Sequence, residues 1–111
     1  MIPKPLLANI LEDSFYKNCI RSKEKTCKGR ITLEHAIIHA GRQVQEKWAI
    51  VPCCAFHHEV DEYQDCGDLK KEINQWVALN RATQEDFDKY PRNSWNQQRR
   101  YLNSKYGTFR F

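Results

Sequence analysis

No stretch of this chain approaches the roughly 18 apolar residues needed to cross a membrane. Its opening, MIPKPLLANI, is too short and too broken by Pro3 and Pro5 to be the apolar segment of a secretory signal. These two absences predict a cytosolic protein without a membrane partner, whose thiols stay reduced and available to metal. There is no internal repeat and no low-complexity tract, which excludes a solenoid and a disordered linker. Apolar residues are also scarce. With 41% hydrophobic residues and a mean hydropathy of −0.80, 111 residues make one domain with a small core. Domains this lean often rely on a disulfide or a metal as a staple. Five cysteines, an odd number, favour metal over a disulfide framework in a reducing compartment.

Acidic residues are missing from one end. Residues 91–111 hold Arg92, Arg99, Arg100, Lys105 and Arg110 and no Asp or Glu, whereas residues 55–90 hold four basic against nine acidic side chains. Residues 1–54 are basic again, nine against five. Such segregation fits a polyanionic partner met by particular surfaces, although a solvated charged face produces the same composition.

Leu6, Leu7, Ile10 and Leu11 recur near helical period, so residues 5–18 open with a short helix entered through Pro3 and Pro5. Residues 19–30 are polar and basic with a cysteine near each side, Cys19 and Cys27, and Gly29 turning just beyond. Nothing apolar folds that loop, so something must tie its ends. Residues 31–38, ITLEHAII, read as a strand, residues 39–47 as a loop around Gly41, and residues 48–54 as a second strand confined by Pro52 to an edge. A helix begins at Ala55. Residues 68–82 form an amphipathic helix with Asp68 as N-cap and Leu69, Ile73, Trp76, Val77 and Leu79 or Asn80 on its buried stripe. Thr83-x-x-Asp86 caps a short helix stopped by Pro91, and Ser94-x-x-Gln97 opens a last helix that Gly107 ends.

Metal-ligating residue types concentrate between residues 19 and 58. Cys54-x-x-His57 lets two side chains at a helix start reach one ion, and Cys19 with Cys27 completes a tetrahedral Cys3His set for zinc. The alternative is that Cys54, like Cys53, is a small buried hydrophobe and His57 a surface residue. His58 points about 100° further round a helix and is available to a second site. With Glu34 it would make a divalent-cation site open to phosphate. His35 could take a proton from water there, or could be a strand histidine satisfied by a backbone hydrogen bond. Neighbouring strand residues face opposite sides, so Glu34 and His35 need a twist or a strand end to converge.

Glu34-His35, a strand ending Ile50-Val51-Pro52-Cys53-Cys54, and Cys54-x-x-His57-His58 together resemble the HNH or ββα-metal nucleases, in particular their small zinc-stapled phage and prophage members. The resemblance covers about residues 19–63. It implies a small α+β domain over residues 1–111, a ββα-metal core with one structural zinc, and a helical extension over residues 68–111 with a basic tail. It also implies a phage-type DNA endonuclease, a metal-dependent hydrolase of phosphodiester bonds, acting in the cytoplasm of a bacterial host. Carried over by residue, His35 is the general base, and Glu34 and His58 hold a catalytic Mg²⁺ or Mn²⁺. Cys19, Cys27, Cys54 and His57 hold Zn²⁺, with His57 standing where the family usually has a cysteine. The family's middle Asn falls near Ala49, which cannot orient a base. Asp61 and Glu62 are further ligand candidates, His39 a loop histidine within reach of phosphate, and Cys66 has no evident partner.

Arg42, Arg92, Arg99, Arg100 and Lys105 are the expected DNA contacts. Trp95, Leu102 and Tyr106 form the buried stripe of the last helix. A homodimer would be needed for paired cuts. The rival readings are a non-catalytic zinc-stabilised nucleic-acid-binding module and a protein that binds a host protein through its acidic middle.

Overall fold

The computed structural model describes residues 2–22, 27–57 and 67–108. The fold is α+β: two small antiparallel sheets packed against helices. Among the described residues no helix is long and apolar enough to cross a membrane.

Helix α1 (Lys4–Glu12) is entered through Pro3 and carries Pro5 in its first turn, where a missing N–H costs nothing. Asp13 ends it in an extended conformation and caps the 3₁₀ turn Ser14–Lys17, its carboxylate accepting from the Phe15 N–H at 2.9 Å. Ile10 is fully buried against Tyr16 and Ile50, whereas Leu11 faces solvent. The helix therefore buries a narrower stripe than its four apolar residues suggest.

Strand β1 (Ile31–His35) pairs antiparallel with β4 (Ile50–Cys54), Leu33 opposite Pro52 and His35 opposite Ile50. A two-stranded sheet consists only of edges, which is how Pro52 is accommodated in a fully buried strand. On the free edge of β4 the Pro52 carbonyl accepts from Ile20 at 3.1 Å and so anchors the chain just after Cys19.

The segment expected to be a loop contains a second sheet, the hairpin β2 (Ile38–His39) and β3 (Arg42–Gln43). Its two turn residues, Ala40 and Gly41, have φ of 51° and 77°. Positive φ at both central positions is the turn geometry that matches strand twist. The 3₁₀ turn Lys47–Ala49 then leads into β4, and residues 55–57 are helical.

Helix α2 (Gly67–Arg81) starts one residue before the expected Asp68 cap. It buries Asn74, Val77, Ala78 and Leu79. Thr83 caps α3 (Gln84–Asp88) through both arms of the expected capping box. At α4 (Trp95–Tyr106) Ser94 makes no side-chain cap; Asn93 does, its Oδ1 accepting from the Trp95 N–H at 3.1 Å. Gly107 ends that helix at φ 86°. Asn80 and Asn103 exchange amide hydrogen bonds of 2.8 and 3.1 Å and join α2 to α4.

Trp95 is the hub of the main core. Its ring meets Trp48, Phe87, Tyr90 and His39 at centroid distances of 5.2 to 5.7 Å. His39 also donates from Nε2 to the Pro91 carbonyl at 3.0 Å, fastening the hairpin to the entry of α4. Trp95→Ala is expected to cost about 3–5 kcal/mol, measured as a shift of the urea midpoint.

Candidate metal centre and the acid–histidine cleft

Three backbone arrangements bring four donors to one point. The Ile20–Pro52 hydrogen bond holds Cys19 beside β4. The loop at 28–30 is clipped to the start of the helical turn, Ala55 donating to the Arg30 carbonyl and Phe56 to the Lys28 carbonyl, each at 3.0 Å. Cys54 and His57 then lie one helical turn apart. Gly29 makes the clip possible. Its φ is 81°, and a Cβ there would stand 2.8 Å from the Ala55 Cβ. Gly29→Ala should lower stability by about 1–3 kcal/mol through the left-handed backbone alone, with the contact adding to it. Urea denaturation of the zinc-loaded protein would read the loss.

The ligand atoms of Cys19, Cys27, Cys54 and His57 all lie within 4.8 Å of one another. The His57 Nδ1 stands 3.5 Å from Cys19 Sγ, 3.6 Å from Cys27 Sγ and 3.2 Å from Cys54 Sγ. Zinc bonds of about 2.3 Å to sulfur and about 2.0 Å to nitrogen, at tetrahedral angles, imply S···N separations of about 3.5 Å. The donor set and its spacing therefore fit zinc. Backbone N–H groups point at two of the sulfurs, Arg21 at Cys19 (3.4 Å) and His57 at Cys54 (3.5 Å), as zinc thiolates require.

Two of the thiols are shifted in opposite directions. Cys19 is held down to about 4, first by a hydrogen bond from Cys53, with the Arg21 N–H and the His57 ring assisting. Cys27 is exposed overall, yet its Sγ lies in the cluster. Removal from water, together with Cys54 and the Cys19 charge, pushes it up to about 12. Without a cation Cys27 keeps its proton, whereas a divalent ion lets neighbouring thiolates coexist. Cys53 is core, as its strand position predicts, and it also supports the Cys19 sulfur.

The acid–histidine pair lies elsewhere, at the end of β1. Both side chains are half-buried. Asn74 of α2 is buried and donates from Nδ2 to Glu34 Oε2 at 2.8 Å. His35 lines a cleft of about 290 Å³ with Lys71, Asn74 and Gln75 of α2 and with Ala36 and Ile38. Its Nε2 is 2.8 Å from Gln45 Oε1. Glu34 thus bonds Asn74 while its neighbour His35 lines the cleft that Asn74 also borders.

Ala49, where the Asn of the resembled family falls, is fully buried in the main core. Asn74 and Gln45 were not foreseen. Asn74 had a legible sign: it sits three and four residues before Val77 and Ala78, a polar residue on a buried stripe.

His58, Asp61, Glu62 and Cys66 lie outside the described residues. Of the expected DNA contacts, Arg42, Arg92 and Arg100 are exposed. Arg99 stacks on Phe87 at 5.0 Å and donates to Asn96 at 2.9 Å, and Lys105 is paired with Glu72 at 2.8 Å. Among the described residues the Cys3His group is the one cluster of three or more potential ligands. No protein-family model, no curated protein and no solved structure matches this chain.

Proposed function

We propose that the chain is a metal-dependent DNA endonuclease of the HNH type, phage-encoded, with a ββα-metal core stapled by zinc. One observation supports the reading: His35 lines a cleft with the exposed Lys71 and the buried Asn74, and Asn74 donates to the neighbouring Glu34 carboxylate. An imidazole and an ammonium in one cleft, with a fixed carboxylate on the adjacent residue, are suited to phosphodiester hydrolysis.

In this reading Lys71 neutralises a non-bridging phosphate oxygen. The His35 imidazole takes a proton from a water in line with the phosphorus. The new P–O bond forms as the bond to the 3′ oxygen breaks, and that oxygen takes its proton from solvent, leaving a 5′-phosphate. Asn74 keeps the Glu34 carboxylate from rotating. A Mg²⁺ or Mn²⁺ held by Glu34 and His58 would supply charge neutralisation at the leaving oxygen. Only Glu34 of that pair is among the described residues, and one carboxylate does not make a site by itself, so no step above depends on the ion. Arg42, Arg92 and Arg100 would contact flanking phosphates and make binding salt-dependent. Cutting both strands at one place would take a homodimer.

The burial of Ala49 favours a second reading, a zinc-stabilised nucleic-acid-binding module without catalysis. Supercoiled plasmid separates the two. The nuclease nicks it with added Mg²⁺ or Mn²⁺, stops in excess chelator and loses activity as His35→Ala. A protein that only shifts the plasmid in a gel, with no nicking, is the binding module.

A further inference from the structure

A neutral imidazole has one protonated and one bare nitrogen, and the hydrogen bond made by the first decides which is which. At His35 the partner is an amide oxygen. Gln45 Oε1 lies 2.8 Å from Nε2 and can only accept, so Nε2 carries the proton and Nδ1 keeps its lone pair. Both ends of this bond are held by the backbone. The residue after His35, Ala36, donates to the Ala49 carbonyl at 2.8 Å, and Val44, the residue before Gln45, is buried and donates to the Ile37 carbonyl at 3.0 Å. The residue after Gln45, Glu46, accepts from the Trp48 indole at 3.0 Å through its side-chain carboxylate. An exposed amide on a fixed backbone adds little to stability. What it changes is the state of the ring it touches.

We propose that Gln45 is the positioning residue of His35: through Nε2 it fixes the tautomer that leaves Nδ1 as the proton-accepting nitrogen at the cleft. Its catalytic consequence rests on the nuclease reading above, whereas its effect on the ring does not. Asn74 then fixes the acid and Gln45 the base, from α2 and from the segment after β3.

Long-range ¹H–¹⁵N correlation spectra of the zinc-loaded full chain test the tautomer without any reaction. Wild type is expected to show the Nε2–H form of His35. Gln45→Met, which matches the side chain in length and has no acceptor oxygen, should show a mixture of the two forms. Gln45→Glu, which restores an oxygen acceptor, should return to Nε2–H. Plasmid nicking by the same proteins should fall about tenfold in kcat for Gln45→Met, the factor one hydrogen bond is worth. KM should be unchanged, and Gln45→Glu should recover the rate. A wild-type Nδ1–H form, spectra that Gln45→Met leaves unaltered, or Gln45→Met cleaving at the wild-type rate would each overturn the proposal. If wild type shows the Nε2–H form and nicks nothing, the nuclease reading fails while the assignment of the ring stands.

Discussion

Stripping zinc from the protein is expected to abolish its cooperative unfolding transition. Apparent binding free energies of about 10–16 kcal/mol are usual for structural zinc in small modules, against a total stability of about 5–15 kcal/mol for a whole domain. Here the ion would join four chain positions, 19, 27, 54 and 57, across a loop whose one aliphatic residue is Ile20. Cys54→Ala should behave like the chelated wild type. Cys53→Ala should keep its zinc, because that thiol is a hydrogen-bond donor to Cys19 and not a ligand. Circular dichroism melts with and without chelator, with zinc content measured alongside, read all three proteins. Protons provide a second check. Without a cation Cys27 keeps its proton up to about 12, so zinc must displace it at neutral pH. Cys19, held down to about 4, is already a thiolate there. Binding therefore releases at least one proton, and apparent affinity rises with pH, about tenfold per unit for each proton released.

The second large effect is on rate. His35→Ala should lower plasmid nicking by about 10²–10⁴-fold, the range for removing a general base. Its fold should survive, because His35 is a half-buried strand-end residue hydrogen-bonded to an exposed glutamine, Gln45. Lys71→Ala should cost less and should raise KM more than it lowers kcat, since an exposed ammonium at the cleft rim acts on phosphate in the ground state as well. Unchanged melting and zinc content in both variants would tie the losses to the cleft.

The Cys3His cluster was legible because its donors are local in kind: Cys54-x-x-His57 is one helical turn, and Cys19 and Cys27 flank a polar, basic loop. Capping at Thr83 and the Gly107 stop were legible for the same reason, each being decided within a few residues. The β2–β3 hairpin was not. Two-residue strands have no periodicity to detect, and its turn places Ala40 in a conformation that favours glycine. The cap of α4 shifted from Ser94 to Asn93, whose side chain also donates to the Phe87 and Tyr90 carbonyls and so ties α4 to α3. That choice depends on tertiary neighbours. The partners of Glu34 and His35 depend on them as well: Asn74 lies 40 residues from Glu34, and the packing of α2 on β4 and the Lys47–Ala49 turn, with β1 paired to β4, brings them together.

The zinc K-edge X-ray absorption spectrum of the purified protein tests the metal centre most directly. One zinc per chain with three sulfur neighbours at about 2.3 Å and one nitrogen at about 2.0 Å is the predicted result. A shell of oxygen and nitrogen alone, or two sulfurs where three are expected, would contradict the Cys19, Cys27, Cys54 and His57 assignment.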